Sequence, residues 1–172
     1  MLLYIMRHGI AAERDEVKFP DDALRPLTSE GFKKTRAAAR GMRKLKINLD
    51  LLITSPLVRA KQTASVVAEE LRVDPSRIRE SANLEPDADA GAILRELAEG
   101  HPLDAVLLVG HEPHVSRLLV RCIAGSERAL HIPFKKAALA QVEVDPHSTR
   151  PRGQLMFLLT PKQLRMVGES RL

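Results

Sequence analysis

The sequence contains no Trp and few other aromatic residues, with four Phe and one Tyr among 172 residues. The core must therefore be built from Leu, Ile, Val, Ala and Met. A nucleic-acid module that stacks bases on aromatic side chains is disfavoured by the same scarcity. The single cysteine, Cys122, excludes a disulfide within the chain and fits a reducing compartment. Because Cys122 lies in an apolar run, we interpret it as a small buried hydrophobe.

Long apolar segments are also missing. No run approaches the roughly 20 apolar residues of a membrane span, and the N-terminus lacks the pattern of a secretory signal peptide. These absences predict a cytoplasmic protein with no membrane partner. No linker or repeat divides the sequence, so residues 1–172 are expected to form one domain. The net charge of +5 favours anionic partners, without distinguishing nucleic acid, a phosphorylated metabolite and an acidic protein.

Strand-like and helix-like segments alternate along the chain. Strands are predicted at residues 2–6, in "DLLITS", at 78–81 and at 105–110. Helices are predicted from near Thr28, at 57–71 with Pro56 suited to the first turn, at 89–99 and at 113–124. A late antiparallel pair is predicted at 137–144 and 154–160. The alternation indicates a three-layer α/β sandwich with a mostly parallel central sheet flanked by helices.

The helix that begins near Thr28 has two predicted faces. Its apolar face is expected to comprise Phe32, Ala39, Met42 and Leu45. Basic residues between positions 33 and 46 occupy much of the remainder. We interpret them as a solvated face; the alternative is a surface that docks an acidic phosphoprotein. A salt-sensitive rate with a phosphoprotein, but not with a small substrate, would support docking.

Cationic and imidazole side chains follow three predicted strands, at the sheet edge where ligands bind in such folds. Arg7 and His8 close the first strand, Arg59 follows the second, and His111 follows the strand "AVLLVG". Arginine matches phosphate oxygens with a planar fork of donors, and a neutral imidazole is a usable nucleophile. The set therefore suits a phosphoryl group. His111 and His114 lack a third ligand nearby, so no metal and no cofactor are predicted.

The motifs "RHG", "SPLVRAKQTA" and "GHEPHVS", in this order, resemble the histidine phosphatase superfamily. The short length, "RPLTSEG", "KKAALAQVEV" and "LLTPKQL" are similar to its small SixA-type branch, the protein-phosphohistidine phosphatases. The resemblance implies a phosphoglycerate-mutase-like fold and no metal. It implies that His8 is the nucleophile and forms a phosphohistidine intermediate. It also implies that Arg7 and Arg59 hold the phosphate, that His111 steadies the transition state, and that water releases inorganic phosphate.

Two further positions stay open. Larger members of the superfamily protonate the leaving group with an acid in the region that corresponds to "ANLEPDADAG", which offers Glu85, Asp87 and Asp89. A phosphoramidate nitrogen can carry its own proton, whereas an alkoxide needs an acid worth about 10²–10⁴-fold. Glu85 is therefore a possible acid that we do not assign. Arg25, in "ALRPLT", either orients the loop over the pocket, which we favour, or touches substrate.

The function predicted is a metal-independent phosphatase that acts on phosphohistidine in a protein, such as a phosphotransfer domain of a signalling system. The enzymatic alternative is a phosphatase of a small phosphorylated metabolite or nucleotide, which a placed acid near 85–89 or a deep closed pocket would favour. The non-enzymatic alternative is a phosphate-binding regulatory module. A mutase needs a closed site, and a nucleic-acid binder does not explain why His and Arg close separate strands. The short chain favours an open groove and a protein substrate.

Overall fold

A computed structural model describes residues 1–145 and 153–170. Its strands are β1 (Leu2–Arg7), β2 (Leu51–Thr54), β3 (Ile78–Glu80), β4 (Ala105–Gly110), β5 (Leu139–Glu143) and β6 (Gln154–Leu159). They form one sheet in the order β3-β2-β4-β1-β5-β6. The first four strands run parallel, and β5 is antiparallel to both β1 and β6. The predicted mostly parallel sheet and the late antiparallel pair are confirmed.

Helices cover both faces of the sheet. Among the described residues they are α1 (Ser29–Lys44), α2 (Val58–Leu71), α3 (Ala90–Glu99), α4 (His114–Ala124) and α5 (Pro161–Glu169). Successive residues of β1 point to opposite layers. Leu3 and Ile5 pack with α3 and α4, whereas Tyr4 and Met6 pack with α1, α2 and α5. The three-layer sandwich is therefore confirmed, with one apolar cluster on each side of the sheet.

The buried face of α1 differs from the prediction. Two of the four expected residues are buried, Ala39 and Met42, but Phe32 and Leu45 are 37% and 39% exposed. Glycines make the close contacts instead. A Cβ on Gly31 would collide with the Ile10 carbonyl, and one on Gly41 would collide with the backbone of α5. Helix α1 therefore packs partly through its backbone at these glycines, which a pattern of large apolar side chains does not reveal.

Helix α5 was not predicted, although its start carries a sequence signal. The Thr160 hydroxyl accepts from the Gln163 N–H at 3.4 Å, and the Gln163 side chain accepts from the Thr160 N–H at 2.9 Å. This reciprocal capping, with Pro161 at the first helical position, is typical of a helix N-terminus. Elsewhere the predicted boundaries hold to within a few residues, except that Pro56 precedes α2 instead of lying in its first turn.

The other composition-based expectations concern Cys122 and the membrane. Cys122 is fully buried in the α3–α4 layer, as predicted, and burial raises the pKa of its thiol to about 12. The thiol is therefore protonated and unreactive at neutral pH. Across residues 1–145 and 153–170, no helix combines the length and apolar character that crossing a bilayer requires.

Candidate active site

The two motif histidines meet where β1 and β4 end side by side. Arg7 is opposite Gly110 in the parallel register, and the His8 N–H donates to the Gly110 carbonyl at 2.9 Å. This pairing sets His8 and His111 next to each other, with ring centroids 5.0 Å apart and planes at 51°. Both rings are buried, at 6% and 2% exposure. The predicted pair of histidines is thus brought together at the carboxyl edge of the sheet.

His8 has one free ring nitrogen suited to attack. Its Nδ1 lies 2.7 Å from the Gly9 carbonyl oxygen. Because a carbonyl only accepts, Nδ1 carries the proton and Nε2 keeps its lone pair. Burial lowers the pKa of His8 to about 3, and the charges of Arg59, Arg7 and Lys136 contribute. The ring is therefore neutral, and hence nucleophilic, at neutral pH.

His111 is held by Ser55, a contact that the sequence analysis did not single out. Its Nε2 lies 2.9 Å from Ser55 Oγ, and the Ser55 N–H donates to the Val109 carbonyl at 2.9 Å. Burial is the main cause that lowers the pKa of His111 to about 2, and repulsion from the charge of Arg59 and from His8 in its protonated form adds to it. Within the described part of the chain, Nδ1 has no hydrogen-bond partner. The second ring is thus neutral as well and fixed on one side.

Arg59 lies in the first turn of α2 and is only 3% exposed, so it is not a surface residue. Its guanidinium contacts Asp22 twice: Nη1 donates to the backbone carbonyl at 2.7 Å, and Nη2 lies 2.9 Å from the carboxylate. Burial opposes ionisation of Asp22, but the charges of Arg59 and Arg25 outweigh it and hold the pKa of this carboxyl below its usual value. Asp22 therefore holds Arg59 as a charged partner.

Arg25 shares that carboxylate from the other side. Its Nε donates to Asp22 at 3.0 Å, and Nη1 donates to the Ala12 carbonyl at 2.7 Å. Both contacts lie within the loop that joins β1 to α1. These contacts are compatible with the loop-orienting role that the sequence favoured, which stays a prediction.

Arg7 is held by a segment far away in the sequence. Its Nη1 donates to the Phe134 carbonyl at 2.7 Å, and the Phe134 N–H donates to Glu112 at 2.6 Å. Burial lowers the pKa of Arg7, and Glu112 partly opposes this. The Nε atoms of Arg7 and Arg59 are buried and have no partner among residues 1–145 and 153–170. Buried N–H groups are normally satisfied, so acceptor oxygens of a bound anion fit these donors.

Thr63 joins the helix that carries Arg59 to the start of the β1–α1 loop. Its hydroxyl donates to the Arg59 carbonyl at 2.7 Å and accepts from the Gly9 N–H at 3.0 Å. A Cβ at Gly9 would collide with the Thr35 hydroxyl. The glycine therefore permits α1 and α2 to approach the residue next to His8.

The acidic candidates lie at the same edge of the sheet, but no hydrogen bond or ion pair in the described structure joins them to His8 or His111. Glu85 is half-buried after the turn that follows β3, and no hydrogen bond or ion pair joins its side chain to another described residue. Asp89 caps α3, accepting from the Gly91 N–H at 2.9 Å, and pairs with Arg95. Neither carboxylate is placed by the fold as an acid for His8. Asp87 is exposed.

Other ionisable residues of the same sequence motifs lie outside this cluster. Lys61 pairs with Glu80 at 3.0 Å on the surface. His114 is the first residue of α4 and is fully buried. The part of the chain that the structure describes contains no group of three or more His, Cys, Asp or Glu residues that could hold a metal ion.

Comparison with known proteins identifies the family. The sequence model of the histidine phosphatase superfamily (branch 1) matches residues 3–85, a segment that includes Arg7, His8 and Arg59. An uncharacterized protein of Picosynechococcus sp. is 33% identical over 172 residues, which cover 95% of this chain and 99% of that protein. The chain belongs to the histidine phosphatase superfamily.

Similarity within the histidine phosphatase superfamily extends to SixA proteins over nearly the whole chain. Phosphohistidine phosphatase SixA of Escherichia coli is 29% identical over 168 residues, covering 96% of this chain and 98% of that protein. A solved structure of the protein histidine phosphatase SixA complexed with tungstate superposes with a TM-score of 0.81 at 28% identity. It covers 95% of this chain and 99% of that one. The resemblance to the SixA-type branch and its fold is confirmed.

Proposed function

We propose that this protein is a metal-independent phosphatase that hydrolyses phosphohistidine on a protein, such as a phosphotransfer domain, through phosphorylated His8. The observation that carries the proposal is the neutral His8–His111 pair beside two arginines whose Nε atoms are buried and have no partner among the described residues. The similarity to SixA proteins supports the substrate class. Charge stabilisation is the main task in phosphoryl transfer, and arginines supply it here.

In the first step, Arg7 and Arg59 bind the phosphoryl oxygens and the His8 Nε2 lone pair attacks phosphorus. The bond from phosphorus to the substrate nitrogen breaks, and its electron pair returns to that nitrogen. A phosphohistidine ring that is protonated on its other nitrogen then leaves as neutral imidazole. The step thus needs no protein acid, which fits the finding that no hydrogen bond or ion pair joins Glu85 to His8 or His111 in the described structure.

His111 is proposed to stabilise the charge on the transferring group. If the Ser55 hydroxyl donates to Nε2, the ring proton resides on Nδ1, the nitrogen without a partner in the described structure. From there it can donate to a phosphoryl oxygen. Donors that are already oriented at the developing charge cost no reorganisation during the reaction.

In the second step, water attacks the phosphorus of phosphorylated His8. The phosphorus–nitrogen bond breaks and restores the lone pair on Nε2. Both hydrogens of the water leave with the phosphate, as dihydrogen phosphate. His8 returns to the neutral form with its proton on Nδ1, and inorganic phosphate is the product.

The test measures phosphate release from a phosphohistidine protein and from a panel of phosphorylated metabolites, in buffer containing EDTA. Wild type is compared with His8→Asn and with His101→Asn, a matched control because His101 is an exposed loop residue. We expect release from the protein substrate, with a loss of at least about 10³-fold for His8→Asn and none for the control. Radiolabelled phosphoryl should be trapped on wild type but not on His8→Asn.

Two outcomes would contradict the proposal in different ways. Release from metabolites alone would keep the mechanism and overturn the substrate class. An active His8→Asn variant, or no release from any compound by wild type, would overturn the enzymatic mechanism itself.

A further inference from the structure

The segment 134–137, just before β5, is bonded to the candidate site at three points. The Phe134 carbonyl accepts from Arg7, and the Phe134 N–H donates to Glu112, the residue after His111. At the other end, the Ala137 N–H lies 3.1 Å from the carbonyl oxygens of both Arg7 and His8. The backbone of this segment is therefore fixed against the residues that carry the proposed chemistry.

A tight turn presents the two lysines of this segment. Ala137 has a φ of 63°, in the left-handed region that residues with a Cβ seldom adopt. The Ala138 N–H donates to the Lys135 carbonyl at 2.8 Å and closes the turn. Such a conformation persists only where surrounding contacts impose it. Lys136 therefore directly precedes the residue whose amide bonds to the carbonyl of His8.

The charge of Lys136 is not neutralised by an ion pair within the described part of the chain. It is exposed, and no carboxylate of residues 1–145 and 153–170 lies within ion-pair distance of it, whereas Lys61 pairs with Glu80 and Lys34 with Glu30. The charge of Lys136 is also among those that lower the pKa of His8, so its field reaches the ring. An unpaired ammonium beside the proposed nucleophile favours an anion at the same place.

We infer that Lys136 is a third cation of the phosphate pocket and contacts the phosphoryl group together with Arg7 and Arg59. This inference rests on the proposed function, because it requires phosphoryl binding at His8. The two arginines are fixed by Phe134 and Asp22, whereas an ammonium on a flexible four-carbon stem is free to move. Lys136 follows the phosphoryl group as it passes from the substrate nitrogen to His8.

The test measures the dissociation constant of inorganic phosphate by ³¹P NMR titration, with no substrate present. Wild type is compared with Lys136→Met, Lys136→Arg and the matched control Lys135→Met, which removes the exposed neighbouring charge. Losing a charged contact should weaken binding about 10- to 100-fold in Lys136→Met. The control should stay within about twofold of wild type, and Lys136→Arg should keep most of the affinity.

Equal affinity in wild type and Lys136→Met would overturn the inference, as would the same loss in both methionine variants, which would indicate a general surface-charge effect. Thermal melting of each variant shows that it is folded. Phosphate binding that depends on Lys136, without phosphohistidine hydrolysis by wild type, keeps the inference and overturns the proposed function. If wild type hydrolyses phosphohistidine and Lys136→Met binds phosphate as tightly as wild type, the proposed function is kept and the inference about Lys136 is overturned. Wild type that binds no phosphate overturns both.

Discussion

Arginines cluster in two regions of this molecule under opposite conditions. In the candidate site, the Arg59 side chain is 4% exposed, and backbone carbonyl oxygens hold one Nη of both Arg7 and Arg59. On the outer face of α1, Arg36 and Arg40 are 38% and 58% exposed and face Glu69 and Glu70 of α2. A carbonyl oxygen orients a guanidinium but carries no net charge to offset the positive one. A carboxylate also neutralises the guanidinium charge, and surrounding water screens it. The arginines of α1 are thus screened by carboxylates and water, whereas of Arg7 and Arg59 in the candidate site only Arg59 has a carboxylate, that of Asp22, within ion-pair distance among the described residues.

The sharpest test of this contrast removes one arginine from each region. We expect Arg59→Ala to reduce kcat/KM for phosphohistidine hydrolysis by about 10³-fold or more, because a well-placed arginine contributes 10³–10⁵ to phosphoryl transfer. Arg40→Ala should leave kcat/KM within about twofold, since exposed pairs contribute little. Similar losses in both variants, measured on folded protein, would break the comparison.

The second test concerns the pH dependence of stability that the buried His8 ring should cause. In the unfolded chain a histidine titrates near pH 6.5, but His8 in the folded chain titrates near 3. As the pH falls below 6.5, the unfolded chain binds a proton that the folded chain does not. The free energy of unfolding should therefore fall by up to about 1.4 kcal/mol per pH unit for this residue, until the pH nears 3.

Urea titrations between pH 7 and pH 4 measure this dependence. We expect His8→Asn to have a shallower decline than wild type, and the exposed His101→Asn variant to serve as the control. An equal slope in wild type and His8→Asn would mean that the folded site accepts the proton and that the ring is not desolvated as described.

The third test concerns Asp22, because its carboxylate pairs with Arg59 and makes this site arginine resemble the arginines of α1. Asp22→Asn keeps the shape and an acceptor oxygen but removes the charge that competes with a phosphoryl group for Arg59. We expect inorganic phosphate to bind about 3- to 10-fold more tightly, as for loss of a partly screened charge. Isothermal titration of phosphate measures it. Weaker binding would show that Asp22 acts by positioning Arg59 instead.

The smallest effect is expected on α1. Arg36 lies 3.0 Å from Glu69, yet both side chains are exposed, at 38% and 64%. Solvent and salt screen such a pair. Arg36→Ala should therefore alter neither phosphohistidine hydrolysis nor the urea midpoint beyond measurement error. A clear drop in that midpoint would mean that the α1–α2 ion pairs stabilise the fold.

The sequence predicted the sheet and the ends of its parallel strands because these signals are local. A buried strand such as 105–110 is an unbroken apolar run, and the residue after it, His111, falls at the edge where ligands bind. Two arginines and two histidines were thus assigned to one edge before any contact was known. Their roles in catalysis remain predictions for the experiments above.

The partners of those residues could not be predicted, because they come from distant segments and carry no periodic signal. Phe134 contributes only its carbonyl to Arg7, and any residue has a carbonyl. Asp22 lies in a polar loop where aspartate is common. Ser55 is the first residue of the motif "SPLVRAKQTA", but a serine after a strand is common and indicates no particular partner. On α1 the error had another cause: Gly31 makes the close contact there, and hydropathy does not register a missing side chain.

The contact between Arg7 and Phe134 spans 127 positions, and β1 completes its pairing only with residues 105–110 and 139–143. Contacts of such separation form late in folding, after the entropy of closing long loops has been overcome. The "RHG" triplet lies near the N-terminus, but the pocket around it depends on residues more than 100 positions away and is therefore expected to assemble late in folding. Partly folded chains would carry the proposed nucleophile without its cations, so the proposed activity would double as a readout of complete folding.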